Sequence, residues 1–332
     1  MAQDASAIAD AFIGPLVAEG GSRYHRHILR GLFIETGNGG IGGFLRANGR
    51  SAACRDTSRA SGREVDGMHI VWLTDIHLNG VTDEVTDDLL AAVSAHRPAS
   101  VLIGGDIAEA PDVRDYLLRI AAGLDCPVYF VLGNHDYYFG SIRHVRQEVG
   151  RLCQRHPQLT YLTDSEPVLL SECSALVGHD GWADGRCGDY HNSRVVMSDH
   201  RLITELTDKD QESRLSLLQE LAGEAADHVR RVLPQALECA QEVLLLTHVP
   251  PFREACWHEG NIADDQWAPH FSSQVMGETI VEIMRSRPAQ RLTVLCGHTH
   301  SAGEFVPIPN VRVLTGAAEY GCPDICRVLT VS

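Results

Sequence analysis

Lysine is all but missing from this chain. Of its 28 basic residues only Lys209 is a lysine; the rest are arginine, set against 44 acidic residues for a net charge of −16. A surface so poor in cations does not neutralise a phosphate backbone, which disfavours broad binding to nucleic acid. No apolar run approaches the roughly 20 residues that span a bilayer, so no membrane partner is expected. The opening residues, Met1-Ala2-Gln3-Asp4-Ala5, lack the basic start and apolar stretch of a secretory signal, and a cytoplasmic location is the expectation. Internal repeats and low-complexity tracts are absent too. The ten cysteines are scattered and are expected to be free thiols. Cys126 and Cys296 lie in or beside apolar runs and are expected to be buried, while Cys322 and Cys326 lack the second pair that completes a zinc set.

What is present divides into two unequal parts. Residues 1–67 include Gly37, Gly39, Gly40, Gly42 and Gly43 and carry eight arginines against seven acids, so they are near neutral while the remainder is strongly acidic. They are expected to form a partly flexible N-terminal extension with a short ordered element at Ile28–Ile34. From Met68 onward, strands predicted at 69–73, 100–103 and 127–132 each precede a helix, near 83–96, 112–122 and 141–154, the rhythm of βαβ units. Shorter strands follow at 167–170 and 174–177. Residues 180–206 are polar and break that rhythm. A long amphipathic helix then runs from about Asp210 to Val232, with Leu215, Leu218, Ala222, Ala225, Val229 and Val232 on one face. Pro234 ends or kinks it, and residues 180–240 together suggest a cap-like insertion. Beyond lie a strand at 243–246, a helix near 274–286, a strand at 292–296 and short strands near 304–306, 311–314 and 327–331.

Five of the apolar runs end in groups able to bind metal: Asp75-Ile76-His77, Gly105-Asp106, Gly133-Asn134-His135-Asp136, Thr247-His248 and Gly297-His298-Thr299-His300. An open α/β sheet lines up the ends of its strands along one edge, where ligands bind. In an extended loop residues i and i+2 point the same way, so Asp75 with His77, and His298 with His300, can each reach one ion. Asp106 follows two glycines that let the backbone turn sharply, and its two oxygens can serve two cations. Asn134 offers an amide oxygen and His248 an imidazole at a strand end. Such a mixed nitrogen and oxygen set suits manganese, iron or zinc better than calcium. Two ions about 3.5–4 Å apart clamp a phosphoryl group and lower the pKa of a bound water to near 7. Such ions would supply a hydroxide for attack on phosphorus, and a histidine beside the ligands would supply the proton that the leaving alkoxide needs.

These ordered clusters resemble the calcineurin-like metallophosphoesterase superfamily, whose signature is D-x-H, G-D, G-N-H-[DE], H and G-H-x-H. The resemblance covers roughly residues 68–332 and is weakest over 180–240. It implies a four-layer α/β sandwich, two sheets flanked by helices. It also implies a first metal site from Asp75, His77, Asp106 and His300 and a second from Asp106, Asn134, His248 and His298, with Asp106 bridging. His135 matches the histidine that is not a ligand and that protonates the leaving group or steadies the transition state. Asp136 matches an acidic partner that orients His135 through its other ring nitrogen.

Protein phosphatases of the superfamily carry an arginine shortly after G-D and use G-N-H-E. Here the chain reads Gly105-Asp106-Ile107-Ala108-Glu109 and Gly133-Asn134-His135-Asp136. That departure looks like the bacterial branch of phosphodiesterases and small-molecule phosphatases. The resemblance therefore implies a dinuclear phosphoesterase acting on a phosphomonoester, phosphodiester or pyrophosphate of a small molecule or nucleotide. The alternatives are a non-catalytic scaffold that kept the fold, or a nuclease of the same superfamily. An amidohydrolase usually opens with His-x-His at its first strand, which this chain does not. Around the cleft, His179 is a candidate to face the site, His191, Asn192 and Arg194 are candidates to hold a phosphate oxygen, and Trp257 to His270 reads as a loop packed on the fold. Oligomeric state is left open.

Overall fold

The structure, a computed structural model, describes residues 68–331. The expected extension over residues 1–67, with its element at Ile28–Ile34, lies outside them. In chain order the first half comprises β1 (Met68–Leu73), α1 (Asp83–Ala95), β2 (Ser100–Gly104), α2 (Val113–Gly123), β3 (Val128–Val131), α3 (Ile142–Arg155) and β4 (Leu159–Tyr161). There follow β5 (Val168–Leu169), β6 (Ser174–His179), the four-residue α4 (Asp199–Leu202) and the long α5 (Gln211–Cys239). Next are β7 (Glu242–Thr247), a hairpin of β8 (Trp257–His258) and β9 (Asn261–Ile262), α6 (Ala268–Phe271) and α7 (Gln274–Arg285). The chain closes with β10 (Arg291–Cys296), β11 (Gly303–Ile308), β12 (Val311–Thr315) and β13 (Arg327–Val331).

Two sheets form. The first has the order β13-β1-β2-β3-β4, parallel except for β13. The second has the order β11-β12-β10-β7-β6-β5, with four parallel inner strands and antiparallel edges. Alternate residues of each strand face opposite ways, and in the central strands both ways are buried, which is why those strands read as unbroken apolar runs. In β1, Ile70 and Trp72 face the second sheet and pack with Leu102, Val131, Leu246 and Leu295. Val71 and Leu73 face α1–α3 instead, packing with Leu90, Leu117, Ile120 and Val149. A third cluster joins β7, β10 and β12 to α5 and α7. The layers are thus helix, sheet, sheet, helix, as the resemblance implied.

Caps begin the helices where the sequence offers them. Thr82 accepts from Val85 N–H at 3.4 Å at the start of α1, and Asp210 from Ser213 N–H at 2.7 Å at the start of α5. Helix α5 departs from expectation. It continues through Pro234 to Cys239, although proline removes one backbone hydrogen bond. Val229, Val232, Leu233, Ala236 and Leu237 are buried against the second sheet, and that packing outweighs the lost bond. Most of this helix is therefore a flanking layer rather than part of a cap, and the irregular segment narrows to the residues between β6 and α5. The described cysteines are all free; Cys296 is buried, whereas Cys126 is only half-buried. Among the described residues, no helix is long and apolar enough to cross a membrane.

Candidate metal centre

The five clusters sit where β1, β2, β3, β7 and β10 end, on one edge of the sandwich. Just past those ends the chain turns abruptly. Asp75 (φ 53°), His77 (39°), Asp106 (51°), His298 (70°) and His300 (59°) all adopt left-handed backbone, at about 1–3 kcal/mol each. Neighbouring loops hold them there. Asp75 N–H donates to Gly105 O at 3.0 Å, His77 N–H to Asp106 O at 3.0 Å, and Gly297 N–H to His248 O at 2.9 Å. His298 N–H donates to the Asp75 carboxylate at 2.9 Å, and His135 N–H to Asp106 Oδ1 at 2.9 Å. Two glycines are needed for room: a methyl at Gly133 would run into the Asp106 carboxylate, and one at Gly297 into that of Asp75.

The donor atoms form two adjoining groups. In the first, one atom each from Asp75, His77, Asp106 and His300 lies within 4.8 Å of the others. His77 Nε2 is 3.4 Å from His300 Nε2 and 3.8 Å from Asp106 Oδ2. In the second, Asn134 Oδ1 is 3.0 Å from both His248 Nε2 and His298 Nδ1, and His248 Nε2 is 3.4 Å from Asp106 Oδ1. Asp106 turns one oxygen to each group.

The outer hydrogen bonds of the second group bear on what it could hold. His248 Nδ1 lies 2.9 Å from Gly104 O and His298 Nε2 lies 3.1 Å from His270 O. A carbonyl only accepts, so each of these outer nitrogens carries the N–H, and in a neutral ring each inner nitrogen is then a bare lone pair. The Asn134 NH2 group donates to Asp199 Oδ1 at 2.9 Å, which leaves its oxygen inward. Three acceptors therefore converge with no proton between them, an arrangement that a cation resolves.

The charges agree. Burial, then the nearby carboxylates of Asp75 and Asp136, pushes Asp106 well above the usual carboxylate range. Burial would raise Asp75 as well, but the imidazoles of His248, His300 and His77 outweigh it and hold Asp75 below that range. Burial depresses His77 to about 3 and His298 to about 4, and lowers His248. Two carboxyl groups, an amide oxygen and four imidazoles make a donor set that fits transition-metal ions.

His135 lies beside the first group without joining it. Its ring is 4.6 Å from that of His77 and stacks on Tyr138 at 4.2 Å. Burial and then His77, His248 and His300 drive its pKa well below the ordinary value. The side chains of His135 and His300 keep 22% and 23% exposure against 1% for His248. Tyr320, 51% exposed, stands over His77 at 4.5 Å and His300 at 4.9 Å. The centre opens on that side.

One expected role is overturned. Asp136 does not orient His135. Its Oδ1 accepts from the amides of Ile107 and Ala108, each at 2.9 Å, and its Oδ2 from Gly133 N–H at 2.8 Å. Residues 135–137 form one turn of 3-10 helix, so adjacent side chains diverge; His135 faces the centre while Asp136 points into the fold. There it ties the G-D loop to the G-N-H-D loop, its pKa raised by burial to about 7 against the pull of three amides.

One cleft candidate, His179, is overturned as well. His179 packs against His228 of α5, at 5.3 Å between ring centroids, on the side of the sheet away from the ligands. His191 pairs with Glu212, Asn192 with Asp189, and Arg194 is exposed. The Trp257 to His270 segment is largely a packed loop, as expected, but it also supplies the His270 carbonyl under His298. Asp199, Tyr138 and Tyr320 escaped sequence reasoning. Tyr138 adjoins a motif and was open to suspicion, whereas Asp199 and Tyr320 lie in stretches without one.

Fold and centre together define a class: a two-sheet α/β sandwich with a mixed oxygen and nitrogen donor set at its strand ends. A family model described as calcineurin-like phosphoesterase matches residues 68–302, and the chain belongs to that family. Membership supports metal-dependent phosphoester hydrolysis as its class of reaction. No curated protein matches the chain significantly. Similar solved structures include a phosphopantetheinyl hydrolase from Mycobacterium tuberculosis, at TM-score 0.54 and 15% identity over 78% of this chain and 96% of that one. Another is a dimetal phosphatase from Danio rerio, at TM-score 0.50 and 15% identity over 80% of this chain and 93% of that one. At these identities the likeness is one of fold.

Proposed function

We propose that this chain is a dinuclear phosphoesterase that hydrolyses a phosphomonoester, phosphodiester or pyrophosphate of a small molecule or nucleotide. The observation that carries the reading is the convergence of Asn134 Oδ1, His248 Nε2 and His298 Nδ1 with no proton to share, beside the cluster of Asp75, His77, Asp106 and His300. Asp75, His77, Asp106 and His300 would hold one ion. Asp106, Asn134, His248 and His298 would hold the other. Bound ions of this kind supply Lewis acidity to phosphoryl oxygens and lower the pKa of water to near 7; manganese, iron and zinc suit the donors.

The chain's own residues supply position and a hydrogen-bond donor. His135 stands on the open side, where a leaving oxygen departs toward solvent. Its depressed pKa keeps the ring neutral before substrate arrives, so it acts by donating an N–H hydrogen bond to the developing negative charge. Tyr138 backs that ring from behind, and Tyr320 forms a wall of the approach. The acidic net charge favours a compact substrate whose phosphate is gathered by the centre itself over a long polyanion.

Hydrolysis of phosphomonoesters, phosphodiesters and nucleotide pyrophosphates, each with manganese, iron and zinc, tests the reading. At least one ester should turn over, and His248→Ala should abolish turnover. Clean protein that hydrolyses none of them, or a His248→Ala variant as active as the parent, would overturn it. Bound metal measured on the same protein separates an enzyme from a scaffold, since a scaffold would hold none.

A further inference from the structure

Asp199 lies at the start of α4, in the polar segment between β6 and α5, far in sequence from every metal motif. Its side chain is nonetheless buried, at 8% exposure, against the candidate centre. Oδ1 accepts from Asn134 Nδ2 at 2.9 Å and from Tyr138 OH at 2.7 Å. The Asn134 Nδ2 and the Tyr138 hydroxyl are themselves 3.2 Å apart, so the three groups form one closed unit.

The chemistry of an amide gives this contact its meaning. Asparagine presents an oxygen and an NH2 group of nearly the same shape, and its partners decide which faces which way. An ionised carboxylate only accepts. Asp199 therefore draws the NH2 outward and turns Oδ1 toward His248 Nε2 and His298 Nδ1, each 3.0 Å away. The same oxygen fixes the Tyr138 hydroxyl, and the Tyr138 ring lies on His135 at 4.2 Å and 30° between planes.

We propose that Asp199 is a positioning residue with two outputs. It holds the Asn134 amide with its oxygen toward the second ion, and through Tyr138 it seats the His135 ring on the open side of the centre. A ligand of one ion and the hydrogen-bond donor to the leaving oxygen are thereby set by one oxygen atom from outside the family motifs. The proposal rests on the dinuclear reading above.

Five full-length proteins test it: the parent, Asp199→Ala, Asp199→Asn, Asn134→Ala and Tyr138→Phe. Manganese and zinc affinities are measured for each of two sites by chelator competition, alongside the melting temperature of metal-free protein and hydrolysis of an aryl phosphate. Asp199→Ala should keep one ion at parental affinity and weaken the other by about 10–100-fold, the usual scale for a group that orients a ligand. Its kcat should fall with KM little changed. Asp199→Asn keeps an acceptor oxygen and should restore most of the affinity. Tyr138→Phe should leave both affinities in place and lower kcat with a shifted pH profile. Two parental affinities in Asp199→Ala would overturn the proposal, as would equal loss of both ions together with a fall in metal-free melting temperature. If Asp199→Ala does not fold, an Asp199→Asn variant with no better second-site affinity than Asn134→Ala overturns it. A parent that takes up no metal overturns the dinuclear reading itself, which keeps the two failures distinguishable.

Discussion

The two halves of the candidate centre are held by different means. Asp75, His77 and His300 stand on left-handed backbone just past the strand ends, and their half opens toward Tyr320 and solvent. Asn134, His248 and His298 are braced from behind by Asp199, Gly104 O and His270 O. Left-handed backbone carries His298 as well, so what sets the second half apart is that each of its own three side chains is braced at its outer edge. That division suits a phosphoesterase, because the substrate must reach one side without loosening the other.

Substitutions can break this contrast, and the largest effect belongs to the residue both halves share. Asp106→Ala should remove both ions and take aryl phosphate hydrolysis to background; metal analysis with a rate assay checks it. Next comes the pair His300→Ala and His298→Ala. Each should leave about one ion per chain, from opposite halves, and loss of both ions in both variants would show that the halves do not load separately. Gly297→Ala forces a methyl against the Asp75 carboxylate and should lower stability by about 1–3 kcal/mol, read by urea unfolding, while weakening the first half.

Acid should act on the fold apart from the metal. Burial holds His179, which faces α5, neutral down to about 3, whereas in the unfolded chain it takes a proton near 6.5. Protons therefore favour unfolding between those values. Stability is full above about pH 6.5 and falls as pH drops toward 3, by at most about 1.4 kcal/mol per pH unit for this group. Metal-free protein melted from pH 7.5 to 4.5 should lose stability at least that steeply, because His77, His248 and His298 are depressed as well, and His179→Phe should remove only this group's share. Smallest is Tyr320→Ala, expected to raise KM for an aryl phosphate several-fold, at about 1 kcal/mol for a lost ring contact, with both ions retained.

Much of this architecture was legible in the sequence because burial on both faces leaves a plain trace. The runs at Ile70–Leu73, Val101–Ile103 and Val243–Leu246 are continuous and apolar, and each ends at a ligand type. What stayed hidden depends on direction or distance. β4 is three residues long, too short for periodicity to reveal. Pro234 signals a helix end, yet packing on the second sheet carries α5 past it. Asp136 stands next to His135, and only the turn geometry shows that the two side chains part. His179 ends a strand as His248 does, but points to the opposite face. Asp199 meets Asn134 across 65 positions, with no motif around it.

The centre also draws on both sheets. Asp75, His77, Asp106 and Asn134 follow strands of the first; His248, His298 and His300 follow strands of the second. Neither proposed site can be completed from one sheet. Each ion, once bound, would work as a rivet through the sandwich, and its uptake would report the coincidence of two correctly seated halves. A chain in which the sheets have slipped would drop its metal before it lost its helices, so metal release would be the earliest sign of the fold coming apart.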